Sequence, residues 1–149
     1  MDKYDWSRLN HLQIGRYAEY FVKMEFVLYG FDVYTAEVDE RGIDFVARRD
    51  KDHYFDIQVK SVRGLKYIFF PKDKFILAPN LLAAVVVFET FKPPELFIIP
   101  STQWRSPTKL LVSRDYEGKK SAPEWGLNLS RSNLEELRTY TFESVIHTL

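Results

Sequence analysis

The chain has 149 residues, 46% hydrophobic and 16% aromatic, which fits one folded domain with a substantial core and excludes a disordered tail. Its 21 basic and 21 acidic residues cancel, a balance that weighs mildly against a nonspecific polyanion binder. Cysteine is absent, so disulfides and thiolate metal sites are excluded.

The opening segment, Met1 to Trp6, lacks the apolar core of a signal peptide, and no stretch approaches the roughly 18 apolar residues of a membrane span. A cytoplasmic protein without a membrane partner is therefore expected. His11 to Tyr29 reads as a long helix whose apolar residues recur three and four apart, closed by Gly30. Strand character follows over Phe31–Val38, then the charged turn Asp39-Glu40-Arg41-Gly42, then a strand over Ile43–Arg49. After the turn Asp50-Lys51-Asp52, a third strand covers His53–Val62, so a helix feeds an antiparallel meander. Lys66–Phe70 suggests a further short strand, and Pro71 suits the start of a short helix reaching about Leu77. Ala84–Glu89 and Glu95–Ile99 read as two more strands, the second ended by Pro100. Ser101 to Pro123 reads as irregular, anchored by Trp104. Ser132-Asn133-Leu134-Glu135 matches a capping box before a short helix, and Phe142–Leu149 suggests another. The pattern predicts a single α/β domain over residues 1–149, a mixed central sheet flanked by helices.

Three charged groups stand inside apolar elements. Glu19 lies in the helix string Gly15-Arg16-Tyr17-Ala18-Glu19-Tyr20-Phe21-Val22, and Asp44 in the strand string Gly42-Ile43-Asp44-Phe45-Val46-Ala47. Lys60 ends a row on the third strand, where Asp56, Gln58 and Lys60 share one face and Phe55, Ile57 and Val59 the other. Read singly, Asp44 fits a solvated strand end, Glu19 the edge of a helix stripe and Lys60 a snorkelling lysine. Read together, they ask for a shared reason, because isolated buried charges are costly. A hard divalent cation supplies one: it takes oxygen ligands and tolerates water for the rest. Asp44, the Gln58 side-chain carbonyl, the Val59 backbone carbonyl and Glu19 are the candidate ligands, with Lys60 beside the metal.

Basic residues bunch in three groups: Arg48, Arg49 and Lys51; Lys60, Arg63 and Lys66; and Lys109, Arg114, Lys119 and Lys120. Each also fits a plain solubilising surface. Tyr4, Trp6, Tyr17 and Tyr20 fit core packing better than base stacking, and His11, His53 and His147 are scattered without metal-ligand spacing. Neither a GxSxG elbow nor a phosphate-binding GxxxxGK[ST] loop is present.

A helix glutamate, Gly-Ile-Asp on one strand and Gln-x-Lys on the next resembles the PD-(D/E)xK nuclease superfamily, including restriction-endonuclease-like and Holliday-junction-resolvase-like members. The match covers roughly residues 11 to 63. The resemblance implies a restriction-endonuclease-like fold and a magnesium-dependent phosphodiester hydrolase acting on DNA, with manganese as a substitute ion. It assigns Asp44 to the metal, Lys60 to catalysis and Glu19 to support of the metal from the helix. Arg63 and Lys66 would hold backbone phosphates. Cutting two strands with one site per chain would favour a homodimer.

The sequence departs from the pattern in two places. Ile43, not proline, precedes Asp44, and Gln58 stands where the pattern has an acid. Loss of that charge weakens cation binding by about 1–3 kcal/mol, with Asp56 on the same face as a possible compensation. The alternative is a catalytically inactive nuclease-fold module that binds nucleic acid or a protein partner.

Overall fold

The computed structural model describes residues 2–38 and 41–149; Asp39 and Glu40 of the expected charged turn lie outside the described residues. Helix α1 (His11–Leu28) opens on Asn10, whose side chain accepts from the Gln13 amide at 2.9 Å while Gln13 accepts from the Asn10 amide at 2.9 Å. It closes at Tyr29 and Gly30, where φ is +90°, a left-handed conformation that glycine adopts without strain. Ile14, Ala18, Val22 and Phe26, spaced by four, form its buried stripe.

Three antiparallel strands follow: β1 (Asp32–Thr35), β2 (Phe45–Arg48) and β3 (Tyr54–Arg63). The first two are shorter than their apolar patterns, and Asp44 sits just before β2 rather than inside it. The chain then leaves the sheet through β4 (Tyr67–Pro71) and a 3-10 turn over Lys72–Lys74, in place of the expected helix to Leu77. It returns as β5 (Leu81–Phe88), parallel to β3, and β6 (Glu95–Pro100), antiparallel to β5. The central sheet therefore has the order β1-β2-β3-β5-β6 and is mixed, as the sequence suggests.

All of β5 is buried, beginning at Leu81, three residues earlier than its pattern indicates. Leu82, Ala84, Val86 and Phe88 pack into the core beneath α1, and Leu81, Ala83, Val85 and Val87 into a second core on the opposite face. A strand covered on both sides reads as one continuous apolar run.

The second core is closed by a three-stranded antiparallel sheet, of which the sequence pattern indicates only the first strand, as Lys66–Phe70. Its order is β4-β8-β7, with β7 (Leu111–Arg114) and β8 (Glu124–Asn128). The segment after Pro100 is thus not irregular throughout: a 3-10 helix over Ser101–Arg105 carries buried Trp104, whose indole donates to the Gly126 carbonyl at 2.8 Å. Helix α2 (Leu134–Arg138) follows a 3-10 turn over Arg131–Asn133, and Ser132 bonds Ser130 at 2.9 Å instead of capping it. Helix α3 (Phe142–Ile146) buries Phe142, Val145 and Ile146 in the first core. No helix among the described residues is long and apolar enough to cross a membrane.

Candidate active-site cleft

The buried stripe of α1 fixes which side chains reach the end of the central sheet. Gly15 and Glu19, four apart on the flank of that stripe, border a cleft of about 270 Å³. Leu12, Arg16, Asp44, Val59 and Ser61 complete its lining. A side chain added at Gly15 would meet no atom within 4 Å, so the helix leaves this side open.

Asp44 is positioned by main-chain geometry. Its amide donates to the Ile57 carbonyl at 2.9 Å. The register between β2 and β3 stops at Phe45 opposite Ile57, so the next amide of β3 on that edge, Val59, needs another acceptor. Asp44 Oδ2 takes it at 2.7 Å. The carboxylate is thereby held against the β3 backbone at the cleft.

Glu19 is held from its own helix. Lys23 Nζ lies 3.1 Å from Glu19 Oε1, and Arg16 Nη1 3.6 Å from Glu19 Oε2. The Lys23 and Glu19 side chains are only 15% and 18% exposed, so this pair is less screened than an ordinary surface ion pair. The structure brings Glu19, Asp44 and Val59 to one cleft.

Gln58 and Lys60 point the other way. Strand alternation sends Val59 and Ser61 to the α1 side of β3 and Gln58 and Lys60 to the opposite side. The Gln58 amide nitrogen lies 3.5 Å from where a Gly42 side chain would begin, and Gly42 has φ +75° in that turn. Lys60 is half-buried with Nζ 5.5 Å above the Phe70 ring. Burial lowers its pKa below the usual lysine value, and the nearby Asp44 carboxylate partly opposes that shift. Asp44 thus relates to both sides of the sheet, bonded to Val59 on the strand edge and in electrostatic range of Lys60.

Asp56 borders a separate cleft of about 390 Å³ with Arg41, Asp73, Lys74 and Asn80, and burial raises its pKa. Arg63 donates to the Leu9 carbonyl, which staples β3 to the segment before α1, while Lys66 is exposed. Of the aromatics weighed for stacking, Trp6 is buried against Tyr17 and Phe88. Sequence reasoning missed Ser61 and Arg16 as lining residues; Ser61 shares the parity of Val59, which is the signal that would have found it.

An oxygen-only set of two carboxylates beside a strand backbone fits a hard divalent cation in donor type. It is a sparse set: among the described residues no group of three or more His, Cys, Asp or Glu is placed to hold a metal.

No protein-family model matches the chain, and no curated protein does. Among solved structures it is similar to Hjc, a Holliday junction resolvase from the archaeal hyperthermophile Archaeoglobus fulgidus. The TM-score is 0.50 at 15% identity, over 76% of this chain and 83% of that one. At that identity the likeness speaks to architecture, and the chain has a restriction-endonuclease-like α/β fold of the kind seen in that resolvase.

Proposed function

We propose that the chain is a divalent-metal-dependent phosphodiester hydrolase acting on DNA. The observation that supports this most is the meeting of Glu19 and Asp44 at one cleft, with Asp44 oriented by the Val59 amide at 2.7 Å. In this reading Asp44 and Glu19, with the Val59 carbonyl, hold the ion, magnesium or manganese. A bound ion of that class acidifies water and neutralises charge developing on phosphorus and the leaving oxygen. The residues do the rest. Asp44 is kept rigid by its backbone bond, so it presents its charge without reorganisation. Lys60 supplies a cation in electrostatic range of Asp44 from the opposite side of β3, and in this reading it balances charge developing on a phosphoryl group at the sheet end. Gln58 contributes from that same face. Lys66 is available to a backbone phosphate, whereas Arg63 reaches one only by leaving Leu9.

Cleavage of a fluorescent four-way DNA junction and of a linear duplex, with magnesium, manganese or chelator, tests this. Metal-dependent cleavage abolished by Asp44→Ala and by Lys60→Ala is the expected result. Cleavage that survives Asp44→Ala overturns it.

A second reading, a noncatalytic module on the same fold, is favoured by one observation: Gln58 replaces an acid, and Glu19 is already engaged by Lys23 and Arg16. Metal-independent DNA binding without cleavage would support it. Two-strand cutting by the hydrolase would call for two copies of the chain, one cleft each.

A further inference from the structure

The third basic group of the sequence is not absorbed by the cleft. It falls on and around the second sheet, whose inner face carries Phe70, Leu111 and Leu127 in the second core. Alternation and register place Tyr67, Phe69 and Pro71, then Glu124, Gly126 and Asn128, then Val112 and Arg114, on the outer face. Among the described residues no other element covers this face: Phe69 is 46% exposed, and Arg114 and Asn128 are exposed, while Tyr67 lies over Gly126.

Its chemistry is specific. Phe69 and Gly126 are opposite in the register, and Gly126 lacks the side chain that would fill the space between them. Tyr67 leans across that gap, its hydroxyl donating to Glu124; a Cβ on Gly126 would stand 2.1 Å from the Tyr67 oxygen. The Arg114 guanidinium lies 4.4 Å over the Tyr67 ring, and Tyr67 and Phe69 stack at 6.5 Å and 25°. Glu124, the acid on the outer face, is buried and bound by Tyr67, so the surface shows cation and ring. Lys66 at one end and Lys119 and Lys120 in the β7–β8 connection are exposed as well. The Lys72 charge is used internally, on Asp115 at 2.7 Å.

A half-exposed ring stacked on a tyrosine that carries a planar cation, with Lys66, Lys119 and Lys120 outnumbering the exposed acids Asp115 and Glu117 around it, complements a base and its phosphate. Bases inside a duplex are hidden in their own stack, so the complementary ligand is an unpaired strand. We propose that the outer face of the second sheet is a stacking platform for unpaired bases of a nucleic-acid strand, with Phe69 as the receiving ring and Arg114, held on the neighbouring Tyr67 ring, as the cation for the phosphate. This rests on the reading of the chain as one that acts on DNA, and it adds the structural form of DNA selected. β4 joins the two regions directly: Phe70 supports Lys60 on one side while Phe69 faces outward on the other.

Fluorescence anisotropy in chelator, with a labelled oligothymidine and a blunt duplex of equal length, tests the platform. Phe69→Ala and Arg114→Ala should each weaken oligothymidine binding about tenfold and duplex binding by less than about twofold. Phe69→Trp should keep the affinity and show indole quenching on binding. Unchanged oligothymidine affinity in natively folded Phe69→Ala and Arg114→Ala overturns the platform. So does equal, Phe69-dependent binding of polyglutamate, which would mark a surface for acidic protein. Junction cleavage without Phe69-dependent strand binding removes the platform alone. Phe69-dependent binding without metal-dependent cleavage removes the hydrolase alone, and wild-type protein that binds neither DNA removes both.

Discussion

Val59 donates its amide to Asp44 Oδ2 at 2.7 Å, so an acid that precedes β2 is fastened to the strand that carries Lys60. The bond completes the β2–β3 edge where main-chain pairing ends, and it gives Asp44 a structural duty beside the proposed chemical one. Asp44→Ala should cost about 1–3 kcal/mol, since a partly buried amide loses a charged acceptor. Asp44→Asn retains an acceptor oxygen and should cost less than half as much in urea unfolding. Both should abolish metal-dependent cleavage, which separates the duties; equal destabilisation by the two changes would contradict the bond's assigned role.

In the proposed site Glu19 would be shared between an incoming cation and its own lysine. With Lys23 at 3.1 Å and little exposed, the acid is partly neutralised before a metal arrives. Lys23→Met should therefore tighten manganese binding by about threefold to tenfold in calorimetric titration, while Glu19→Gln should weaken it. Weaker binding in Lys23→Met would mean that the lysine orients Glu19 more than it competes with the ion.

Lys60 is held at a lowered pKa chiefly by burial, so its folded state binds protons less readily than the unfolded chain. Its cationic form is consequently a cost to stability at neutral pH, and that cost fades as pH rises through the folded pKa to the ordinary lysine value near 10.5. Lys60→Met should raise the melting temperature by about 2 °C at pH 7 and lose that advantage in strongly alkaline buffer. The same variant should be inactive. A gain that persists unchanged at high pH would trace to packing on Phe70 rather than to charge.

Gly126→Ala should be poorly tolerated even though the position lies on an outer sheet face. The new Cβ would stand 2.1 Å from the Tyr67 oxygen, which must then swing off Glu124. A loss of about 1–3 kcal/mol is expected. Tyr67→Ala removes the obstacle, so the double variant should be markedly less destabilised than the sum of the two. Additive losses in chemical denaturation would place the glycine's role elsewhere.

The helix and the central sheet were legible because their apolar patterns are local: the stripe Ile14, Ala18, Val22, Phe26 and the run from Leu81 to Phe88 announce themselves. The second sheet was not. β8 is five residues with a buried glutamate, a glycine and an asparagine, and its strand character comes from pairing with β4, more than fifty positions away. The acids of the cleft were legible from element type and order. The division between Val59 and Gln58 was also written in the alternation of β3, which sends neighbours to opposite sides. Arg63 was read as a phosphate contact from its place near the row; its bond to the Leu9 carbonyl depends on how the opening segment folds back, and no local pattern encodes that.

Because β5 gives half its side chains to each core, neither outer layer can come away without wetting a full side of this strand. The helical layer and the small sheet are thereby bound into one melting unit. A lesion under the small sheet, at Trp104 for example, strips cover from the side of β5 opposite to the one that α1 packs on.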